Sequence, residues 1–588
     1  MLKRQGWLVC LLCLVTLVPF LWSSDYNTKG EPREAIVSYS MLENGNWVLP
    51  RNNGGEMAYK PPFFHWSVAA VSALLGGEVT EGSSRLPSAL ALTVLVVSTF
   101  VFYARRKDTP TAFVAAGICL LCMELHRAGG NCRVDMVLTA CTVGALYLLY
   151  RWWQQGLHRL PWAAILLMSL GTLTKGPVGT VIPCMVAGVF LAVKAMTGER
   201  GKLTGLAMPY LQLCLSALLS LVLPALWYYA AWRQGGKEFL DLMYEENVGR
   251  MTHSMSYESH AEPWWYNFLT LTYGLLPFTL VLLFGLFSLG NWPGRLFRGV
   301  KQRLSLRQVQ DKTRMDDVTL FSLVAAVVII AFYCIPQSKR SVYLMPMYPV
   351  LAYFIARFML WLAGNRKKSL SLYTSVLAGL GLLAFIAFIV CKLRLIPESV
   401  FSGRHAAESI ATIHAIGDIS SWWQILLILI PTIICGYWWK YADTTPIGKG
   451  HVYFSLLIAL TLNLAVDGAY KSPVLNVKSV KHIASDLRAI SHQEKARGAG
   501  YTLYEYIEQG EKALGDPVHY FELNFYLSNT IENFMKSKPQ EGILLIGDED
   551  FALRQADFGK DGYVFDGPVY MSDKKIVGEI LNVYRFHK

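Results

Sequence analysis

Charged residues are scarce in this sequence of 588 residues: Asp, Glu, Lys and Arg together make up 16% of it. Soluble domains carry about 25%. Hydrophobic residues make up 53%, and the mean hydropathy is +0.33. Scarce charge together with long apolar runs excludes an ordinary soluble domain. The sequence therefore predicts an all-α polytopic membrane protein.

Cysteine is absent after Cys435, so no disulfide framework can hold the end of the chain. Most of the eleven cysteines lie within apolar runs, where they behave as small hydrophobic residues. Cys119 and Cys122 form a CxxC motif, but neither a second pair nor a histidine cluster lies near them in sequence. The residues therefore require no cofactor, and no motif supports a divalent metal.

The net charge of +12 raises the question of a nucleic-acid partner. The basic residues, however, lie in short loops between apolar runs. This distribution is typical of charges that orient a protein in a membrane, rather than of a basic groove. We expect membrane lipids, and no nucleic acid, among the partners of this protein.

Apolar runs long enough to cross a bilayer, about 20 residues each, recur along most of the chain. We predict about thirteen transmembrane helices, and Gly176-Pro177 indicates either a hairpin or a kink within 160–195. The predicted spans are residues 6–22, 85–103, 111–126, 133–150, 160–174, 177–195, 206–231, 267–289, 318–335, 342–363, 372–391, 422–439 and 451–467.

Clusters of lysine and arginine predict the orientation, since such clusters favour the cytoplasmic side. They occur at 3–4, 105–107, 295–314 and 366–368, and with thirteen spans all of them fall on one side. The first loop, the loop over 232–266 and the C-terminus then lie outside the cytoplasm. No A-x-A site follows the first span, so we interpret it as an uncleaved anchor with a cytoplasmic N-terminus.

The sequence changes character after about residue 468. "VKSVKHIASDLRAI" predicts an amphipathic helix, and "GYTLYEY", "EGILLIGDED" and "GYVFDGPVYM" predict short strands. We therefore predict a transmembrane domain over 1–467 and a small extracytoplasmic α/β domain over 468–588. No motif in the second domain indicates a chemistry, and "GDED" is more typical of a solvated turn than of a metal site.

The first outer loop, residues 23–84, is long and charged for a connector between two spans. Pro32 suits the first turn of a helix and Asn44-Gly45 suits its end, which predicts a short amphipathic helix on the membrane surface. Its apolar stripe consists of Ala35, Ile36, Tyr39 and Leu42. "PPFFHWSVAAVSALLGG" is apolar but too short to span, which predicts a second interfacial helix.

Several basic residues lie on the predicted outer side of the membrane, whereas the positive-inside rule places most lysines and arginines on the cytoplasmic side. Lys60 precedes Pro61-Pro62, and an ammonium held at headgroup depth suits either a phosphate ligand or a lysine that snorkels. Lys175, Lys339 and Arg340 lie at the outer ends of predicted spans. An anionic, lipid-linked substrate would explain these three residues.

Asp135 opens an apolar run, either as a helix-start carboxylate favoured by the helix dipole or as a catalytic one. Arg127 and Arg133 lie near it in sequence and are its expected ion-pair partners.

Arg250 and His260 lie in another outer loop, "ENVGRMTHSMSYESHAEPWWY", which ends in aromatic residues suited to the interface. The histidines of this loop do not by themselves predict a metal site.

Eight short motifs follow one another between about residues 25 and 350. They are "GEPREAIVSYSMLENGNWVLP", "YKPPFFHW", "RVDMVLTA", "LTKGPVG", "LPALWYYA", "ENVGRMT", "SHAEPWWYN" and "PQSKRSVYLMPMYP". Together they resemble the bacterial aminoarabinose transferases that modify lipid A, which belong to the GT-C glycosyltransferases alongside the protein O-mannosyltransferases. The plan of about thirteen spans with a C-terminal outer domain resembles this family as well.

The resemblance implies the transfer of a sugar from a polyprenyl-phosphate carrier, such as undecaprenyl phosphate, to lipid A, lipopolysaccharide or another cell-envelope acceptor. It places the reaction at the periplasmic face of the bacterial inner membrane. In the family an acidic pair opens the first outer loop; here Gly30 stands at the first position and Glu31 at the second. Asp135 matches a further acidic position, so Glu31 and Asp135 are the candidate catalytic residues.

The resemblance also implies ligands for the substrates. Those for the lipid phosphate are Lys60, which matches the lysine before proline, Arg250, which matches a loop arginine, and Lys175, Lys339 and Arg340, which match basic positions. Candidate contacts with donor or acceptor are Arg33, Tyr59 and His260. Tyr59 is a departure, because the aminoarabinose enzymes have a glutamate at this position, and a metal ligand reported there is not carried over. Together with Gly30, it argues against aminoarabinose as the sugar.

A phosphate leaving group departs as a stabilised anion, so the reaction needs nearby cations more than a strong acid. The acceptor needs a carboxylate that takes its proton, and both Glu31 and Asp135 remain candidates.

Alternative functions are a protein O-glycosyltransferase, a transferase for capsule or O-antigen, a non-enzymatic transporter of lipid-linked sugars, and a sensor. Against the transporter, the sequence shows no internal repeat of the kind that transporters often have.

Overall fold

The computed structural model describes residues 2–197, 207–245, 261–288, 315–403, 405–441, 448–496, 502–508 and 518–588. The chain divides into two compact units. The helical unit comprises Met1–Ser23, Arg85–Ala225 and Glu262–Val474, and the α/β unit comprises Ser24–Ser84, Leu226–Ala261 and Leu475–Lys588. The predicted division of the chain into domains at residue 467 stays a prediction.

Helices dominate the chain. They are α1 (Leu2–Leu17), α2 (Gly30–Asn44), α3 (Phe63–Leu74), α4 (Glu81–Ala104), α5 (Thr109–Leu121), α6 (Met123–Gly129), α7 (Val134–Gln154), α8 (Trp162–Lys175), α9 (Val178–Thr197), α10 (Ala207–Ser220), α11 (Val222–Tyr244), α12 (Tyr266–Gly274), α13 (Thr279–Ser288), α14 (Asp317–Cys334), α15 (Tyr348–Asn365), α16 (Lys367–Lys392), α17 (Ala406–Gly417), α18 (Trp422–Tyr441), α19 (Lys449–Ala465), α20 (Lys471–Asn476), α21 (Lys481–Ala496), α22 (Phe521–Tyr526), α23 (Phe534–Ser537) and α24 (Asp548–Lys560). Short 3₁₀ segments lie at Val18–Phe20, Ser341–Met347 and Glu398–Val400, and a π-helical turn lies at Val466–Tyr470. The strands are β1 (Arg51–Asn52), β2 (Glu56–Met57), β3 (Leu503–Tyr506), β4 (Ile531–Asn533), β5 (Glu541–Gly547), β6 (Val564–Ile576) and β7 (Glu579–His587).

The predicted membrane spans all coincide with helices. Among the described residues, ten helical segments are long and apolar enough to cross a membrane, and two bent helix pairs raise this number to twelve. The bent pairs are α5 with α6, at 63°, and α12 with α13, at 96°. The thirteenth predicted span is α8, whose 14 residues give a length of about 21 Å at 1.5 Å per residue, too short for a bilayer core of about 30 Å. The polytopic helical fold is confirmed.

Small and hydroxyl-bearing residues bring α8 and α9 close together in the helical unit. A Cβ atom at Gly179 would overlap the backbone of Gly171. Beside this contact, the Oγ1 atoms of Thr172 and Thr180 lie 2.9 Å apart, and Ser220 of α10 lies 2.8 Å from Thr180. Close backbone approach and hydroxyl hydrogen bonds are typical of helices that pack without a hydrophobic driving force. This packing fixes the end of α8, where Lys175 stands.

The α/β unit contains a five-stranded mixed sheet with the order β4-β3-β5-β7-β6. Strand β3 pairs in parallel with β4 and β5, whereas β7 pairs antiparallel with β5 and β6. Along β5, Ile543 and Leu545 join one apolar core, which also holds residues of α21 and α22. Leu544 and Ile546 join the other, which holds residues of α24. This alternation is the two-residue period of a strand buried on both faces.

The structure confirms the predicted C-terminal α/β domain, with α21 and strands β3, β5 and β6 where the sequence indicates them. It also contains β4 and β7, which the sequence analysis did not predict. The prediction of a solvated turn at "GDED" is wrong, because these residues open α24. The carboxylate of Asp548 accepts a hydrogen bond from the backbone N–H of Ile580. The carboxylate of Asp550 accepts one from the backbone N–H of Glu508.

The first loop folds as part of the α/β unit. Helix α2 ends at Gly45, whose φ of 67° provides the left-handed turn that the sequence predicts there. Ala35 and Ile36 of its apolar stripe are fully buried, and α2 packs against α3 and α22. The expected interfacial helix therefore uses this stripe for protein packing.

The β1–β2 hairpin of the first loop makes close backbone contact with the sheet. The N–H of Asn53 donates to Oδ1 of Asn529 at 3.0 Å, and Nδ2 of Asn524 donates to Oδ1 of Asn53 at 2.8 Å. A Cβ atom at Gly54 would lie 2.5 Å from the backbone nitrogen of Asn533. The turn therefore requires glycine for its space as well as for its φ of +73°.

Substitution of Gly54 by alanine is expected to destabilise the α/β unit by about 1–3 kcal/mol, because the added methyl group meets backbone that cannot yield. Gly55 is the matched control: its φ is also positive, but no atom lies within 4 Å of a Cβ placed there. Thermal unfolding and limited proteolysis should rank the wild type above Gly55→Ala and Gly55→Ala above Gly54→Ala. Equal effects of the two substitutions would contradict the contact.

Candidate active site

A buried carboxylate stands at the centre of the first-loop residues singled out by the sequence. Glu34 of α2 pairs through Oε1 with the ammonium of Lys60, and its Oε2 lies 3.0 Å from Nε2 of His65. Nη2 of Arg33 lies 3.4 Å from Oε1. We name these four residues the Glu34 cluster. The side chain of Glu34 is 8% exposed, whereas those of Lys60 and Arg33 are 34% and 25% exposed, so the lysine is the most accessible member.

The Glu34 carboxyl is ionised in spite of its burial. Burial raises its pKa, but the charge of Lys60, the hydrogen bond with His65 and the charge of Arg33 outweigh this effect and hold the pKa well below its usual range. An ionised Glu34 in turn favours the charged form of the lysine beside it. The cluster therefore presents a fixed ammonium group.

Two neighbouring helices position the Glu34 cluster. Pro61 and Pro62 follow Lys60 and lead directly into α3, which places His65 in the first turn of that helix. The hydroxyl of Ser38, one turn after Glu34 on α2, donates to the carbonyl of His65 at 3.0 Å. The start of α3 is thus tied twice to the same face of α2.

A cleft adjoins the Glu34 cluster. Its lining residues are Arg33, Glu34, Val37, Asn52, Asn53, Glu56, Met57, Ala58, Tyr59, Lys60, His65 and Phe521. The amides and the tyrosine in this list are groups that can hydrogen-bond the hydroxyls of a sugar. Three residues that the resemblance assigns to substrate, Arg33, Tyr59 and Lys60, lie here together. Glu31 is buried in the first turn of α2 and is not among these lining residues.

One wall of the cleft is held by a buried histidine. Nε2 of His519 lies 3.0 Å from Oε2 of Glu56, and Nδ1 pairs with Glu505. Burial lowers the pKa of His519, but the two carboxylates outweigh it and raise that pKa to about 10. The imidazolium therefore ties the hairpin residue Glu56 to strand β3.

Asp135 and Lys175 meet in the helical unit. Asp135 lies in the first turn of α7 and pairs with the ammonium of Lys175, the last residue of α8. The ammonium also lies 4.4 Å from the ring centroid of Tyr343, in cation–π geometry. Arg127, expected as a partner of Asp135, instead lies 2.8 Å from Oε1 of Glu124. Asp135 and Lys175, both assigned by resemblance, are therefore in contact in the structure.

Lys339 and Arg340 are neighbours in sequence but have different surroundings. The buried ammonium of Lys339 donates to the backbone carbonyls of Pro336 at 2.7 Å and Glu262 at 2.9 Å. This arrangement favours a structural role for Lys339 over a phosphate contact. Nε of Arg340 is buried and, within the part of the chain that the structure describes, has no hydrogen-bond acceptor. Arg340 is therefore the better candidate for an anionic ligand.

The sequence analysis missed three residues of these clusters. Glu34 and His65 complete the Glu34 cluster, and buried Glu124 accepts hydrogen bonds from Arg127 and, at 3.1 Å, from Ser341. The charge of Glu34 is visible in "GEPREA", but Lys60 and His65 lie about 30 residues later in the chain, before and within α3. Arg250 and His260, both assigned by resemblance, lie outside the described residues.

Residues 59–228 match the family described as dolichyl-phosphate-mannose-protein mannosyltransferase. An undecaprenyl phosphate-alpha-4-amino-4-deoxy-L-arabinose arabinosyl transferase of Aeromonas salmonicida is 25% identical, over 71% of this chain and 73% of its own. The protein of the same name from Pseudomonas paraeruginosa is 24% identical over 88% of each chain. The crystal structure of ArnT from Cupriavidus metallidurans bound to undecaprenyl phosphate matches 98% of each chain, with a TM-score of 0.65 and 17% identity.

These likenesses confirm the resemblance that the eight motifs indicate. The chain has the GT-C fold, with many membrane helices and a C-terminal sheet domain. In sequence it is similar to aminoarabinose transferases over most of its length, and to the protein mannosyltransferase family over residues 59–228.

The His519 pair makes the stability of the α/β unit depend on pH. The folded-state pKa of about 10 lies above the ordinary histidine value of about 6.5, so the stabilisation is complete below pH 6.5 and is lost as the pH rises through 10. The free energy of unfolding should fall by several kcal/mol across this window, at about 1.4 kcal/mol per pKa unit.

The variant His519→Gln should flatten this dependence, measured as the thermal midpoint between pH 6.5 and 10. His482→Gln is the control, because His482 is half exposed and pairs with exposed Asp573. A wild-type midpoint that does not fall across the window would refute the assignment.

Proposed function

We propose that this chain transfers a sugar from a polyprenyl-phosphate donor, of the undecaprenyl-phosphate type, to lipid A or another cell-envelope acceptor. The observation that carries the proposal is the ammonium of Lys60, held by buried Glu34 in the lining of a cleft that also contains asparagine and tyrosine side chains. A fixed cation beside sugar-binding groups suits a phosphate-linked sugar. We further propose the periplasmic face of the bacterial inner membrane as the place of reaction, with a cytoplasmic N-terminus and a periplasmic C-terminal domain.

The proposed step breaks the bond between the anomeric carbon and the phosphate oxygen, and the electron pair leaves with the phosphate. The acceptor oxygen forms the new bond to the anomeric carbon, and its proton passes to a carboxylate. Direct attack opposite the leaving group inverts the anomeric configuration. Because negative charge grows on the departing phosphate, a cation beside it lowers the barrier. We assign this role to Lys60, with Lys175, Arg250 and Arg340 as further ligands of the carrier phosphate.

Glu31 and Asp135 are the two candidates for the proton acceptor. Glu31 lies in the first turn of α2, where the helix dipole favours a negative charge. Asp135 has the same helical position on α7 and the cation of Lys175 beside it. Either carboxylate would take the proton of the acceptor in its ionised form. Separate Glu31→Gln and Asp135→Asn variants would distinguish the two by their effects on kcat.

The decisive experiment incubates the purified protein in lipid nanodiscs with undecaprenyl-phosphate-linked sugars. Donors should include aminoarabinose and neutral sugars, and acceptors should include lipid A and a serine-rich peptide. Mass spectrometry should detect lipid A that has gained one sugar residue. A product on the peptide alone would favour the alternative of a protein O-glycosyltransferase, and movement of the donor across the bilayer without any product would favour a transporter.

The variant Lys60→Gln should reduce transfer by about 10²–10³-fold, because removal of one group that stabilises developing negative charge costs roughly that factor. Initial rates at saturating donor measure the effect. Lys29→Gln is the control: Lys29 stands next to the start of the same first-loop helix α2 but is exposed to solvent. A Lys60→Gln protein with the wild-type rate would remove the basis of the proposal.

A further inference from the structure

An open cavity lies between the end of α7 and the start of α8, within the helical unit. Three basic side chains line it, those of Arg151, His158 and Arg159, and none of its described lining residues is acidic. Trp152 and Trp162 line it as well. The cavity therefore offers two guanidinium groups and an imidazole to a ligand, with indole rings beside them. No group of the proposed sugar transfer lies here.

The unequal lengths of two packed helices leave room for this cavity. Helix α7 has 21 residues, about 31 Å, and α8 has 14, about 21 Å. At one end Asp135, in the first turn of α7, pairs with Lys175, the last residue of α8. At the other end α8 therefore stops about 10 Å short of α7, and residues 155–161 connect the two helices across this step. The cavity and the Asp135–Lys175 pair thus lie at opposite ends of the same helices.

The connection between α7 and α8 has a fixed shape. Nε1 of Trp152, which is 5% exposed, donates to the backbone carbonyl of Arg159 at 2.6 Å. The backbone N–H of Leu157 donates to the carbonyl of Trp152 at 3.3 Å, after a left-handed turn through Gly156 and Leu157 with φ values of 83° and 61°. A Cβ atom at Gly156 would lie 2.7 Å from Nε2 of His158, so the imidazole lies against this glycine. The basic side chains therefore extend from a backbone that is already held in place.

The basic side chains of the cavity differ from neighbouring cations in their partners. At this end of the helical unit Lys107 pairs with Asp316, and Nζ of Lys194 lies 2.7 Å from Oδ1 of Asp317. Within the part of the chain that the structure describes, no carboxylate lies within 4.0 Å of the nitrogens of the three basic side chains of the cavity. An anionic ligand can therefore meet these groups without displacing an internal ion pair.

We propose that this cavity binds the phosphate headgroup of an anionic glycerophospholipid, such as phosphatidylglycerol. Guanidinium groups bind phosphate oxygens through paired hydrogen bonds. In the proposed orientation the cavity faces the cytoplasm, where basic pockets between membrane helices bind such headgroups. Trp162 and Leu166, one turn apart on α8, are 65% and 52% exposed and offer apolar surface to the acyl chains of a lipid. Free phosphate has no use for that surface. This inference goes beyond the proposed transfer of a sugar and does not depend on it.

Native mass spectrometry of the full chain in detergent tests the proposal by titration with dioleoyl-phosphatidylglycerol. Dioleoyl-phosphatidylcholine, which carries the same phosphate but no net charge, is the comparison lipid and should bind more weakly. The variant Arg151→Gln/Arg159→Gln should weaken binding of phosphatidylglycerol about tenfold, because two charges that meet the phosphate are lost. Ala163→Phe should weaken it as well, because Ala163 lines the cavity and the larger side chain fills it without any change of charge. Inorganic phosphate at millimolar concentration should not displace the lipid.

Lys367→Gln/Lys368→Gln is the matched control, because it removes two exposed charges from the same proposed face outside the cavity. It should bind phosphatidylglycerol like the wild type, and so should Lys60→Gln, which alters the candidate active site. An equal loss in both double variants would show diffuse attraction and overturn the proposal, as would a wild type that does not distinguish the two lipids. A loss in Lys60→Gln alone would place the lipid in the active-site cleft, and displacement by phosphate would identify a site for the free anion. The thermal midpoint shows that each variant is folded, and Ala163→Phe provides the test should the arginine variant fail to fold.

Discussion

A carboxylate buried in a protein stays ionised only if cations or hydrogen-bond donors meet it there, and the first loop is organised around this constraint. Glu34 draws Lys60, Arg33 and His65 to one point, although they come from two helices and the segment between them. Each partner that approaches offsets part of the cost of burial. The same contacts that stabilise the loop therefore determine where its one half-exposed ammonium stands, and that ammonium is the group on which the proposed chemistry depends.

The helical unit obeys the same constraint in a medium that is harsher for charge. Its buried or half-buried acidic groups meet cations nearby: Asp135 meets Lys175, Glu124 meets Arg127, and Asp467 lies 3.9 Å from the ammonium of Lys471. Buried hydroxyls such as those of Thr172 and Thr180 hydrogen-bond to each other. Ionisable groups within membrane segments are costly and usually functional. Because these cations are paired, a substrate phosphate would have to compete with a carboxylate for each of them.

Hydropathy and turn chemistry were enough to predict most of the fold. Apolar runs located the described helices that are long enough to cross a membrane. Helix α8, predicted at 160–174 and observed at Trp162–Lys175, is equally apolar, but Pro161 and Gly176 bound it at a length too short to span. Strands β3, β5 and β6 were predicted from alternating or apolar residues, whereas β4 is only three residues long, too short for a periodic signal. The site was predicted less completely, because Glu34 and Lys60 become neighbours only when α2 packs against α3, and no local pattern reports that contact.

This difference has a consequence for the way related sequences are compared. A motif compares residues that occupy the same position in the chain, but the requirement on Lys60 is electrostatic and concerns only distance. A glutamate beside it in sequence and a glutamate on the facing helix satisfy that requirement equally. The carboxylate that meets Lys60 comes from position 34 on the facing helix, and a comparison of adjacent positions in the chain does not show this contact.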